Sequence, residues 1–282
     1  MSPIVTLTTD FGYGTYVAQI KGVILGYCRE AVLIDVTHDI PPQDIPQAAL
    51  ALADSAPSFP AGTLHLVVVD PGVGSQRPIL YAEIGEWQVI APDNGLLTLL
   101  ASRFPVRRLI RLTEPAFWGS SIAPTFHGRD IMAHVIGNLL QGVDPLRLGP
   151  ATDRWIRWEW PAVEKRLDGL VGQIIHFDHF GNAITNIGRE DLCWLSAVGR
   201  LEPGVMEIAV EGVARPIAWS PHYAGRAAGS LVALLDSQDR LEIAIVNGNA
   251  RAHLGLDLGL SVVCRPEGSG WPQAGSVRDE VP

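Results

Sequence analysis

Apolar positions follow two different rhythms in the two halves of this chain. Residues 4 to 9 form a short apolar and β-branched run that predicts a strand. Past Phe11-Gly12-Tyr13-Gly14, the residues Tyr16, Val17, Ile20, Val23, Ile24 and Tyr27 recur at helical spacing, with Thr15 as the expected cap. Ala31 to Val36 predicts a second strand, and Asp44 to Ser55 a helix entered past Pro41-Pro42. Thr63 to Val69 predicts a third strand, and Leu80 to Ile90 a hairpin around Gly85. Asp93-Asn94-Gly95 introduces an expected helix from Leu96 to Phe104, and His127-Gly128-Arg129-Asp130 another from Ile131 to Gln141. Strands and helices that alternate through short connections predict a mostly parallel sheet covered by helices.

The rhythm changes after residue 150. Residues 151 to 167 carry Trp155, Trp158 and Trp160 among charged groups, the pattern of an extended crossover anchored by its aromatics. From Leu170 short strand candidates follow one another at Gly172 to Phe177, Gly204 to Val210, Leu231 to Leu235, Leu241 to Val246 and Ser261 to Arg265. Gly, Asn and Asp separate them, which predicts a small all-β barrel or sandwich. The expected organisation is an α/β domain over residues 1–150, a crossover over 151–167, a β-barrel domain over 168–265 and a flexible tail over 266–282.

Charge and cysteine content narrow the function class. Lys and Arg number 21 against 30 Asp and Glu, a net charge of -9, and no basic run interleaved with aromatics offers a nucleic-acid footprint. No apolar stretch approaches the length of a membrane span and no leader precedes the first strand, so a cytoplasmic location is expected, with no membrane partner. Cys28, Cys193 and Cys264 are odd in number and widely spaced, which suits inert thiols rather than a disulfide framework or a thiolate metal site.

Candidate chemistry gathers at the ends of predicted elements. Val67-Val68-Val69-Asp70-Pro71-Gly72-Val73-Gly74 is a β-branched strand stopped by a turn, and Arg77 follows Asp70 by seven residues. Such a strand end lies where open α/β sheets place their ligands. The bland alternative is an ion pair that only pins the loop. Asp10, in Thr9-Asp10-Phe11-Gly12, has the same placement and suits the hydroxyls of a ribose, or else serves only its own turn. His127 sits at a third junction, between Phe126 and Gly128. In the second half, Asp178-His179-Phe180-Gly181-Asn182 and Asn247-Gly248-Asn249 combine carboxylate, aromatic and amide groups fit for an ammonium and a flat heterocycle; tight hairpin turns are the plain alternative. Gly12-x-Gly14 lacks the rest of a dinucleotide fingerprint, and no phosphate loop occurs, which argues against NAD and ATP. Asp130 with His134, and His38 with Asp39, do not make a recognisable metal motif, so no metal and no cofactor are expected.

These segments, taken in order, resemble the S-adenosyl-L-methionine (SAM) hydrolases, also called SAM hydroxide adenosyltransferases, which are related to the bacterial fluorinase and chlorinase. The resemblance runs from Ile4 to Cys264 and rests on Thr9-Asp10-Phe11-Gly12, Asp70-Pro71-Gly72-Val73-Gly74 with Arg77, Pro92-Asp93-Asn94-Gly95, Phe126-His127-Gly128-Arg129-Asp130, Phe180-Gly181-Asn182 with Thr185-Asn186, and Asn247-Gly248-Asn249-Ala250. It implies that Asp70, Arg77 and His127 orient and activate water or hydroxide for attack on C5′ of the substrate's ribose, giving adenosine and L-methionine. By the same resemblance Asp10 holds the ribose hydroxyls, Phe180, Asn182 and the backbone from Asn247 to Asn249 meet the adenine, and Asp178 and Ser237 meet the methionine part. Relatives can carry Ser-Arg where this chain has Ser237-Gln238. The resemblance further implies a homotrimer with the nucleoside held between subunits. Halogenating relatives lack the charged triad and carry an extra loop, for which the interval from Asp93 to Glu114 leaves little room. A nonenzymatic SAM or adenosine sensor and a SAM-dependent chlorinase are the competing expectations.

Overall fold

A computed structural model describes residues 2–166, 168–195, 206–214 and 216–266, and it divides the chain into two compact units, 1–158 and 159–282. In the first unit the strands are β1 (Ile4–Thr9), β2 (Val32–Thr37), β3 (Leu64–Val68), β4 (Ile79–Ile84), β5 (Trp87–Pro92) and β6 (Val106–Arg111). The helices are α1 (Thr15–Tyr27), α2 (Ile45–Ser55), α3 (Thr98–Arg103) and α4 (Ala133–Leu140), the last entered through a π-helical turn at Gly128–Met132. The sheet order is β2-β1-β3-β5-β4-β6.

The four strands β2, β1, β3 and β5 are parallel, while β4 pairs antiparallel with both β5 and β6. The parallel part therefore puts the carboxyl ends of β1 and β3 side by side, with Thr9 opposite Val68. Gly85 turns the chain back between β4 and β5, as the hairpin pattern predicts. Strand β6 escapes the periodicity argument because Arg107, Arg108 and Arg111 crowd its six residues; charged side chains suit an edge strand, which must discourage further pairing.

Two helix starts show how local chemistry sets the boundaries. Asp44 caps α2 by accepting from the Gln47 amide at 3.0 Å, and Pro46 occupies the first turn, where a missing N–H costs nothing. Thr15 is not a cap: Gly14 takes that place in extended conformation with no side-chain bond, and Thr15 is the first helical residue. Leu7, Ile20, Ile24, Leu66, Tyr81, Ile90, Ile110 and Ile136 fill the core between sheet and helices, each buried aliphatic side chain contributing about 2 kcal/mol.

Residues 150 to 158 belong to this first unit. The Arg111 amide donates to Pro150 O and the Thr152 amide to Leu109 O, extending the edge at β6. The Ile156 amide donates to Asp93 Oδ1 at 2.7 Å, and the Trp158 indole donates to Asn94 O at 3.0 Å. The tryptophan-rich crossover is thus tied down by an indole N–H and backbone amides.

The second unit is a closed barrel. Its strands are β7 (Glu164–Arg166), β8 (Gly169–Phe177), β9 (Ala183–Gly188), β10 (Met206–Val210), β11 (Ile217–Trp219), β12 (Leu231–Leu235), β13 (Arg240–Ile245) and β14 (Ser261–Pro266), with helices α5 (Arg189–Leu195) and α6 (Ala250–Leu254). The order β14-β10-β11-β12-β13-β9-β8 closes into a seven-stranded ring through the β14–β8 pairing, and β7 attaches to β8. Among the described residues, only β11 and β12 pair in parallel in this unit. Leu170, Ile174, Ile187, Ile208, Leu241, Ile243 and Val262 point into the barrel. Strand β9 was masked in sequence by Asn182, Thr185 and Asn186. Asn186 explains part of its polarity, accepting from the Gln173 amide and donating to Pro161 O. The Asn247–Ala250 segment is not a hairpin: Asn249 caps α6 by accepting from the Ala252 amide at 2.7 Å. The predicted tail lies outside the described residues save for Pro266, the last residue of β14. Among the described residues no helix is long and apolar enough to cross a membrane.

Candidate active site

Asp70 stands just past β3, in a turn that closes through the Val73 amide to Asp70 O and the Ser75 amide to Gly72 O. The turn brings Arg77 back over Asp70. Its Nε donates to Asp70 Oδ1 at 2.5 Å while Nη2 donates to Oδ2, a forked pair with side chains only 10% and 5% exposed. Such burial makes the pair costly to break from one side, on the order of 3–5 kcal/mol, because the remaining charge stays in a poor solvent.

Arg77 does not stop at Asp70. The same Nη2 lies 3.3 Å from Nδ1 of His127. A guanidinium has donors and no acceptor, so Nδ1 must offer its lone pair and the neutral ring carries its proton on Nε2. Burial, then the charge of Arg77, push the His127 pKa below its ordinary value; Asp70 and Asp130 pull the other way without reversing the shift. The result is a neutral imidazole whose Nε2–H is a donor.

Two clamps hold this set. Gly74 adopts φ +81°, and a Cβ there would lie 2.6 Å from Pro124 O, so the Asp70 turn presses against the segment leading to His127. Asp130 accepts from the Ala123 amide at 2.8 Å and from Arg129 through Nε and Nη2 at 2.6 and 2.9 Å; the Arg129 bond leads the causes that lower its pKa. From the strand side, Asn94 Nδ2 donates to Val69 O at 2.9 Å, fixing the residue before Asp70. The Asp93-Asn94-Gly95 and Arg129-Asp130 segments therefore act by holding others in place.

Asp10 is at the end of β1, beside β3. Its Oδ2 accepts from the Gln43 amide at 2.8 Å, and Gln43 takes φ 66°, an unusual conformation for a residue with a side chain. Thr9 Oγ1 lies 2.9 Å from His38 Nδ1 and accepts from the Phe11 amide. The Phe11 and Phe126 rings meet edge to face at 5.9 Å, joining the Asp10 loop to the His127 loop. Asp10, Asp70, Arg77 and His127 are thus gathered at one edge of the sheet.

His134 Nδ1 lies 2.9 Å from the Tyr27 hydroxyl, and His38 Nε2 lies 3.0 Å from Asp35. Among the described residues no group of three or more His, Cys, Asp or Glu is arranged to hold an ion.

In the barrel, Asp178 organises its own turn. Oδ1 accepts from the Phe180 and Asn182 amides at 2.9 and 2.8 Å, and Oδ2 from Asn182 Nδ2 at 2.9 Å. Phe180 is lifted out of the turn, 70% exposed. Gly181 has φ +81°, and a Cβ would come within 2.3 Å of the Asn249 side chain; Gly181 O accepts from the Arg251 amide. The Phe180–Asn182 and Asn247–Asn249 segments are therefore packed together, with Asn247 at φ 54°. Ser237 lies in the β12–β13 turn, which Asp236 Oδ1 holds by accepting from the Gln238 and Arg240 amides, each at 2.8 Å.

One pair was missed by the reading of the chain. Tyr223 donates its hydroxyl to Glu242 Oε1 at 2.5 Å. The only sequence signal was a single charge inside the apolar run Leu241-Glu242-Ile243-Ala244-Ile245. Burial raises the Glu242 pKa, and the nearby charges of Asp178 and Asp236 add to it against the Tyr223 bond.

Comparison with known proteins places these residues in a family. The SAM hydroxide adenosyltransferase N-terminal domain profile matches residues 5–149, and the C-terminal domain profile of the same family matches residues 172–263. The (R)-S-adenosyl-L-methionine hydrolase of Thermus thermophilus is 36% identical over 93% of this chain and 99% of its own length. The protein of that name from Salinispora tropica is 35% identical over 92% and 96%. A crystal structure of an uncharacterized conserved protein from Thermotoga maritima superposes with a TM-score of 0.86 at 29% identity, covering 93% of this chain and 99% of the other.

Proposed function

We propose, because this chain belongs to the SAM hydroxide adenosyltransferase family, that it is an enzyme hydrolysing S-adenosyl-L-methionine to adenosine and L-methionine. The observation that carries the assignment of roles is the bridge made by Arg77, forked onto Asp70 and 3.3 Å from His127.

The reaction forms a bond from a water-derived oxygen to C5′ and breaks the bond from C5′ to sulfur, whose electron pair leaves with neutral methionine. A sulfonium is already a good leaving group, so the protein needs chiefly to align and desolvate the nucleophile. Hydroxide is a far better nucleophile than water, and fixed donors favour it. Arg77, with its positive charge, and the Nε2–H of neutral His127 are two such donors; Asp70 holds Arg77 in register. Asp10, with one carboxylate oxygen left over from Gln43, takes the ribose hydroxyls. Phe180, Asn182 and the Asn247–Asn249 backbone take the adenine, and the Asp178 and Ser237 turns the methionine part. No cofactor enters this scheme.

We place the working enzyme as a homotrimer in the cytoplasm, with each nucleoside shared by neighbouring subunits. The open ring of Phe180 and the exposed Tyr13 and Tyr16 support shared surfaces, and three unpaired thiols suit a reducing compartment. Sedimentation mass and adenosine affinity measured across protein concentration test this: a persistent monomer that binds tightly refutes it.

The decisive experiment incubates the protein with SAM in oxygen-18 water, with and without chloride, and reads the nucleosides by mass spectrometry. Singly labelled adenosine with methionine is expected in both. Chloride-dependent 5′-chloro-5′-deoxyadenosine would make it a halogenase, and binding without any product would make it a sensor.

A further inference from the structure

The Asp10 loop is held by a residue that the proposed reaction does not use. Where β1 pairs with β2, Leu7 stands opposite Asp35 but Thr8 opposite Thr37, so β2 carries one residue more than β1 at this point. Such a bulge bends its strand and re-aims the side chains that follow. It brings His38, the residue after β2, level with Thr9, the residue before Asp10. His38 then meets the loop twice. Its ring Nδ1 lies 2.9 Å from Thr9 Oγ1, which accepts from the Phe11 amide at 3.2 Å, and its own carbonyl accepts from the Gly12 amide at 2.9 Å. Residues on both sides of Asp10 are thus fixed by one histidine.

A second tier stands behind the ring. His38 Nε2 faces Asp35 Oδ1 at 3.0 Å, off the line of a good hydrogen bond, and Asp35 Oδ2 accepts from Lys21 Nζ of α1 at 2.6 Å. A carboxylate only accepts, so the proton of the neutral ring sits on Nε2 and Nδ1 receives the Thr9 hydroxyl. Thr9 is fully buried and the His38 side chain is 11% exposed, so the two work from behind Asp10 rather than on a ligand. Asp10 itself is half-buried, with Oδ2 on the Gln43 amide.

We propose that His38 is a positioning residue for ribose recognition: by pinning Thr9 and Gly12 it fixes the Asp10 carboxylate where both the 2′- and the 3′-hydroxyl reach it. This rests on the reading of Asp10 as the ribose group and deepens it. A vicinal diol presents two donors at a set spacing, and a carboxylate meets both only in a narrow range of orientations, whereas a single acceptor tolerates a swing of its loop. Gly12, at φ +63°, gives the loop its freedom, and the bond from its amide to His38 takes that freedom away.

The test compares adenosine with 2′,3′-dideoxyadenosine in equilibrium binding to the full chain. The wild type is expected to favour adenosine tenfold or more. His38→Ala should weaken adenosine about tenfold and the dideoxy ligand less than twofold, with KM for SAM rising alongside while kcat changes less than threefold. Thr9→Val, which keeps shape but lacks the hydroxyl, should act in the same direction and add little to His38→Ala in the double variant. Equal losses for both nucleosides in the two single variants mean a merely structural role and overturn the inference, as does an unchanged adenosine affinity in both. Asp10→Asn separates the two levels. If it keeps the wild-type preference for adenosine, the reading of Asp10 fails and this inference with it; if it abolishes the preference while His38→Ala and Thr9→Val retain it, only the role of His38 is refuted.

Discussion

The Asp70 turn and the Asp178 turn each contain an aspartate with two carboxylate oxygens to satisfy, and they satisfy them by opposite means. Asp70 gives both oxygens to a side chain, Arg77, which goes on to His127 fifty positions away. Asp178 gives its oxygens to partners no more than four residues on. The first arrangement couples separate elements and keeps a full positive charge desolvated and aimed before any ligand arrives. The second is locally complete, and its product is a rigid platform that presents the Phe180 ring to solvent. Reaction machinery is here built from long-range side-chain bonds, and recognition surface from local backbone turns.

That contrast can be broken most severely at Asp70. Asp70→Ala leaves Arg77 charged without its fork and should lower kcat by about 10²–10³-fold, with SAM affinity within a few fold, in steady-state and equilibrium-binding assays. Turnover near that of the wild type would remove Asp70 from the machinery. A smaller and differently shaped loss is expected at Phe180. Phe180→Ala should weaken adenosine binding by roughly tenfold, the worth of one stacked ring, and leave the melting temperature unchanged because the ring packs little at home. A large drop in melting temperature would show that the platform needs its aromatic for stability.

The gentlest probe is pH. Folding lowers the His127 pKa, so the neutral ring persists below the ordinary 6.5. The unfolded chain takes up that proton first, so the contribution of His127 to stability is complete above the unfolded value and is lost as pH falls through the folded one. Turnover should likewise be flat above neutrality and fall in acid with a midpoint below 6.5. His127→Gln, slower at every pH, should lose that limb; an unchanged midpoint in the variant would assign the limb elsewhere.

How far the chain could be read depended on where each residue spends its polarity. Strands β1, β3 and β8 are legible because their apolar runs face a core on both sides or alternate cleanly. Strand β6 was hidden by three arginines at an edge, and β9 by amides such as Asn186 that bond across the barrel. Asn249 looked like a turn residue because the same oxygen that makes a turn also caps a helix, and only the fold decides which amide it meets. Asp70, Arg77 and His127 stood out singly at element ends, and the resemblance named them together. Their order in space, with Arg77 in the middle, and the tautomer it imposes, needed coordinates. Tyr223 and Glu242 lie 19 residues apart, with no local pattern linking them.

Asn94 carries a consequence for how the protein is made. Its side chain grips Val69, the residue before Asp70, while its own carbonyl receives an indole 64 residues later in the chain. A ribosome delivers Asp70, Arg77 and His127 well before it delivers Trp158. The nascent enzyme therefore holds all three side chains some time before the last peg that steadies them, and a fragment released at residue 150 would contain the reactive set but not the peg.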